Sequence, residues 1–130
     1  MNKARVLIVD DDRNFARLTA MTLQRSNRYD VQVETRPAHA LESAHVFCPN
    51  LILLDMNMPG KSGAEVLLEL RADSDLVSTP VIFLSSLVEG YEEGQRPLTQ
   101  RKIRYIAKSV DSTMLLRCVD EAMMENIGVA

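Results

Sequence analysis

"VLIVDDDRNF", residues 6–15, joins a run of four apolar residues to three consecutive aspartates. The apolar run does not alternate with polar residues, so it reads as a strand buried on both faces. Three like charges at the end of such a strand repel one another and require a partner. The pattern recurs along the chain. "LILL" (51–54) runs into Asp55, "VIFL" (81–84) into Ser85 and Ser86, and "YIA" (105–107) into Lys108. A fifth run, "VQVE" (31–34), ends in "ETRP" (34–37), in which Glu34, Thr35, Arg36 and Pro37 supply nothing so distinctive.

Segments of helical period lie between these runs. Phe15, Leu18, Thr19, Thr22 and Leu23 share one helix face, with Asp12 placed as its N-cap. Ala38, Leu41, Ala44 and Val46 or Phe47 form a second helix, entered at Pro37 and stopped before Pro49. Val66, Leu67 and Leu70 mark a third. Leu115, Val119, Ala122 and Met123 mark the last, which starts near Asp111 or Ser112. The fourth crossover, residues 87–102, contains Gly90, Gly94 and Pro97, so a short or irregular fourth helix is expected there. Strands alternating with helices predict an α/β fold, a doubly wound five-stranded parallel sheet with helices on both faces. At 130 residues, one domain spanning 1–130 is expected.

Composition narrows the function. Apolar residues at 46% and charged residues at 25% suit a globular chain, and a net charge of −3 gives no reason to expect direct contact with nucleic acid or an anionic membrane. Arg101, Lys102 and Arg104 form a short basic cluster whose ordinary reading is a solvated helix end or loop. No stretch resembles a secretory signal or a membrane span, so a cytoplasmic location is expected. Cys48 and Cys118 lack metal-site spacing and read as reduced, mostly buried thiols. His39 and His45 are six apart, which does not place them on one helix face, and no metal is expected between them.

In a sheet of this kind, ligands lie beyond the carboxyl ends of the strands. Those ends carry Asp10, Asp11 and Asp12, then Asp55, then Ser85 and Ser86, then Lys108. Converging carboxylates repel by about 4 kcal/mol per close pair at an effective dielectric near 20, so they call for a cation. An all-oxygen donor set suits Mg²⁺. A lysine and a hydroxyl in the same pocket complement a phosphoryl group, and the inferred chemistry is phosphoryl transfer. Asp55 stands apart from the other acids on its own strand and is the expected nucleophile. Pro59 and Gly60 set up a turn that can aim the Asn57 carbonyl towards the metal.

The ordered set of acidic cluster, "DMNMPG" (55–60), hydroxyl and lysine resembles the receiver domain of bacterial two-component response regulators, over essentially the whole chain. The resemblance implies a flavodoxin-like strand order of 2-1-3-4-5. It implies that Asp55 accepts a phosphoryl group from a sensor histidine kinase or phosphotransfer protein in a Mg²⁺-dependent reaction. Asp10 and Asp11 would be the acidic pair, Asp11 the more direct metal ligand, with Asp55 and the Asn57 backbone carbonyl completing the protein's donors. Ser85 would be the switch hydroxyl, Lys108 would bind a phosphoryl oxygen, and Tyr105 would be the aromatic that reports the switch. A receiver catalyses its own phosphorylation and dephosphorylation and is not expected to turn over a separate substrate. Output would pass through a downstream protein partner or a C-terminal effector domain, without direct nucleic-acid or membrane binding by this chain.

The sequence departs from the family pattern in two places. Lys108 is followed by Ser109 where the family usually has proline, often after a cis bond. A non-proline cis bond costs about 3 kcal/mol, so a trans bond with a reshaped loop is expected. The fourth crossover lacks the usual Gly-Ala step before the fifth strand, so the partner-binding face built there is expected to be rebuilt or mobile. Ser86, beside the switch hydroxyl, is small enough to leave room for an attacking water. Two other functions fit parts of the pattern. A receiver-shaped interaction module that is never phosphorylated would not need the complete acid, hydroxyl and lysine set. A haloacid-dehalogenase-like phosphatase would use Asp10 and Asp12, but Asn14 stands where that family has Thr or Val.

Overall fold

A computed structural model describes residues 3–86 and 104–128. Along the chain run β1 (Ala4–Val9), α1 (Arg13–Arg25), β2 (Tyr29–Glu34), a 3-10 turn (Pro37–His39), α2 (Ala40–Phe47), β3 (Leu51–Asp55), α3 (Gly63–Arg71), β4 (Val81–Ser85), β5 (Arg104–Ala107) and α4 (Ser112–Gly128). The five strands form one all-parallel sheet in the order β2-β1-β3-β4-β5, as the resemblance implies. The expected fourth-crossover helix falls on residues 87–102, outside the described residues.

Burial follows from position in the sheet. β3 and β4 are covered on both faces and every residue in them is buried, which is why their sequences are apolar without alternation. β2 lies at the edge, and several of its residues stay exposed. On one face Val6, Ile8, Leu51, Leu53, Ile82 and Leu84 meet α1 and α4; on the other Leu7, Val9, Ile52, Leu54, Val81 and Phe83 meet α2 and α3.

The helix faces are partly as predicted. Leu115, Val119, Ala122 and Met123 of α4 and Val66, Leu67 and Leu70 of α3 are buried. In α1 the buried row is Ala16, Thr19, Ala20 and Leu23, while Leu18 is 63% exposed. The alternative i, i+3, i+4, i+7 row wins because its two alanines let α1 approach the sheet closely. In α2 the core contacts come from Ala40 and Ala44, with Phe47 partly buried and Val46 exposed. Cys48 is exposed rather than buried: it ends α2 in a left-handed conformation (φ 53°), and its thiol donates to the His45 carbonyl at 3.3 Å. Cys118 is partly buried.

Candidate functional site

Parallel register brings the strand ends to one edge in steps. Val9 pairs with Leu54, so Asp10 comes level with Asp55; Asp55 pairs with Leu84, and Ser85 with Ala107, which places Lys108 one residue beyond. The Lys108 amide donates to the Ser85 carbonyl at 2.8 Å and continues the ladder by one bond. Every peptide bond among the described residues is trans, including Lys108–Ser109.

Asp10 and Asp55 are buried, whereas Asp11 is more accessible. The three carboxylates offer ligand atoms within 4.8 Å of one another. Lys108 Nζ lies between the buried pair, 2.8 Å from Asp10 Oδ2 and 3.4 Å from Asp55 Oδ1. Asp10 Oδ1 accepts the Asp12 amide at 2.9 Å. Asp10 Oδ2, fully buried, meets the ammonium as an ion pair without an aligned hydrogen bond, so one lone-pair direction is left unsatisfied. Three clustered carboxylates, two of them buried and sharing a single lysine, fit a hard cation with oxygen ligands.

These charges act on one another. Burial first, then the Asp10 charge, push the Asp55 carboxyl up to about 6, against the opposing pull of Lys108 and of the Asn57 amide, which donates to Asp55 Oδ1 at 3.4 Å. Burial works against the Lys108 charge, yet the contacts with Asp10 and then Asp55 hold its pKa above the ordinary lysine value. The arrangement is one cation shared by two buried acids, and it is electrostatically incomplete.

The remaining predicted residues fall around this pair. Ser85 is buried at the end of β4. Ser86 is exposed. Tyr105 in β5 stacks on Phe83, with ring centroids 5.4 Å apart and planes at 24°. Asp12 caps α1 as predicted, its Oδ1 accepting the Phe15 amide at 3.1 Å. After Asp55 the chain turns through Pro59 and Gly60, whose φ of +84° suits glycine.

Three residues at this edge were not anticipated. Gly63 starts α3 against the backbone of Asp55 and Met56, and its amide donates to the Met56 carbonyl at 3.0 Å. Phe15 places its ring 4.7 Å from Lys108 Nζ, although its spacing pointed only to a helix core face. Glu34, at the end of β2, is buried and accepts from Ser43 Oγ at 2.6 Å and from the Arg36 amide at 2.9 Å and Nε at 3.3 Å. Its carbonyl accepts the Asp10 amide at 3.1 Å, so β2 helps to hold the acidic pair. At the opposite edge His45 Nε2 lies 2.7 Å from Asp73 Oδ2, a hydrogen bond between α2 and the segment after α3.

Comparison with known proteins agrees with this geometry. The family model described as "Response regulator receiver domain" matches residues 6–120. The response regulator ArlR of Staphylococcus saprophyticus is 33% identical over 89 residues, covering 68% of this chain and 39% of that protein. The DNA-binding response regulator MtrA of Mycolicibacterium paratuberculosis is 34% identical over 98 residues, covering 71% of this chain and 42% of its own length. The chain thus spans about two fifths of these relatives. Among solved structures, the chemotaxis response regulator CheY4 of Vibrio cholerae superimposes with a TM-score of 0.81 at 25% identity, covering 93% of this chain and 99% of that one. A response regulator of Desulfuromonas acetoxidans gives 0.80 at 25% identity, covering 93% and 97%.

Proposed function

The chain belongs to the response regulator receiver family of two-component systems, and from that premise we propose that it accepts a phosphoryl group on Asp55 from a sensor histidine kinase or phosphotransfer protein. The observation that carries this reading is the buried Asp55 carboxylate sharing Lys108 with Asp10. A carboxylate oxygen of Asp55 attacks phosphorus, the bond from phosphorus to the donor imidazole nitrogen breaks, and an aspartyl phosphate remains. The Lys108 ammonium neutralises charge on the transferred oxygens, and the Ser85 hydroxyl at the adjoining strand end donates to one of them.

Asp10, Asp11, Asp55 and the Asn57 carbonyl are the donors proposed to hold Mg²⁺. That ion would offset the crowded carboxylate charge and stabilise the negative charge that develops on the phosphoryl oxygens. Among the described residues no helix is long and apolar enough to cross a membrane. We place the chain in the cytoplasm, with Tyr105 and Ser85 passing the phosphorylated state to a downstream protein or to an effector domain of the kind that the name of MtrA implies for that relative.

The test is incubation with Mg²⁺ and a small acyl-phosphate donor, followed by intact mass. A phosphoryl adduct that requires Mg²⁺ and is absent in Asp55→Asn is the expected result. Failure of the wild type to take up phosphoryl from that donor and from histidine kinases would favour a phosphorylation-independent interaction module.

A further inference from the structure

We propose that Phe15 is a positioning residue, whose aromatic face holds the Lys108 ammonium over the Asp55 carboxylate. Lys108 Nζ lies 4.7 Å from the Phe15 ring centroid, inside the range of about 6 Å over which a ring face attracts a cation. The ammonium is therefore met on three sides: by Asp10 Oδ2 at 2.8 Å, by Asp55 Oδ1 at 3.4 Å and by the ring. Lysine is a compact charge on a long flexible stem, and Lys108 sits on the turn after β5 with its backbone fixed at Ser85. The ring supplies direction that the stem lacks.

Phe15 is itself fixed by the acidic cluster. Asp10 Oδ1 accepts the Asp12 amide, Asp12 Oδ1 accepts the Phe15 amide, the Phe15 ring faces Lys108, and Lys108 returns to Asp10 Oδ2. The contacts close a circuit in which the helix cap sets the ring and the ring sets the lysine. Phe15 is only partly buried against the α1 and α4 core, so its removal does not empty that core. The assignment rests on the phosphoryl-transfer reading, because the lysine so aimed must meet a transferred oxygen.

The experiment compares Phe15→Leu and Phe15→Met, which keep an apolar side chain without a ring, with Phe15→Tyr, which keeps the ring. Melting curves by circular dichroism confirm that each variant is folded. Phosphorylation by the small acyl phosphate should slow about fivefold in the two aliphatic variants and stay within about twofold of wild type in Phe15→Tyr. In parallel, the Lys108 ε-methylene proton signal should be displaced upfield by the ring in wild type and Phe15→Tyr, and should lie at the ordinary lysine position in Phe15→Leu. Wild-type rates in Phe15→Leu and Phe15→Met, or equal slowing in all three variants, would overturn the proposal. If the wild type takes up no phosphoryl group, the phosphotransfer reading fails, and the lysine signal alone decides the placement: an unshifted wild-type signal overturns it, and a shift lost only without the ring supports it.

Discussion

Replacing Gly63 by alanine tests how far Asp55 depends on the close approach of α3 to the end of β3. A Cβ at position 63 would lie 2.3 Å from the Asp55 carbonyl oxygen, 2.9 Å from Met56 Cα and 3.1 Å from the Asp55 carbonyl carbon. All three are backbone atoms, so no side chain can swing aside. Carbon and carbonyl oxygen normally approach to about 3.3 Å, so the helix start and the strand end must part by about 1 Å. That movement also stretches the 3.0 Å bond from the Gly63 amide to the Met56 carbonyl. Overpacking costs about 1–3 kcal/mol, and alanine returns up to about 1 kcal/mol of helix propensity. The expected net loss is about 1–2 kcal/mol, a fall in Tm of about 3–8 °C. The effect on chemistry should be larger, since misplacing a reacting group by about 1 Å costs about 100-fold in rate. Thermal melting by circular dichroism and Mg²⁺-dependent phosphorylation followed by intact mass measure the two separately. A variant that melts no lower than the wild type and is phosphorylated as fast refutes the reasoning.

Two further outcomes follow from the same contacts. Mg²⁺ at about 100 times its Kd should stabilise the fold by about 2.7 kcal/mol, read as a rise in Tm that Asp11→Ala removes; an equal rise in Asp11→Ala would place the cation elsewhere. Burial, with the Asp120 carboxylate accepting its hydroxyl, pushes Tyr29 up to about 12, so the stability it contributes is complete below the unfolded value near 10 and is lost as pH rises towards 12. Tyrosinate absorbance should report a group that ionises well above pH 10 and moves down in Asp120→Asn, and the absence of any such Asp120-dependent group would contradict this.

Much of the fold was legible because it depends on neighbours in the chain. The apolar runs that became β1, β3 and β4 needed no partner to be recognised, and Asp12 caps α1 through the amide of Phe15, three residues away. Features that depend on what stands opposite in space were not legible. The i, i+3 spacing of α1 allowed two faces, and only the closeness of the sheet selects Ala16 and Ala20 over Leu18. The role of Gly63 exists only because the Asp55 carbonyl lies where a Cβ would be.

The two strand-end carboxylates carry this distinction into function. Glu34 closes β2 as Asp55 closes β3, and both are buried at the same edge. Each is an acid at the last position of a parallel strand, and their surroundings separate them further. Burial raises both, but at Glu34 the Ser43 hydroxyl and the Arg36 amide and guanidinium outweigh it and hold the pKa below the ordinary glutamate value. At Asp55 the opposing contacts are a 3.4 Å amide and a lysine shared with Asp10, and the pKa rises to about 6. A carboxylate whose lone pairs are taken up by three donors is spent on structure. One left with a long hydrogen bond and half of a lysine retains the lone pairs that a nucleophile, or a ligand to a cation, must offer.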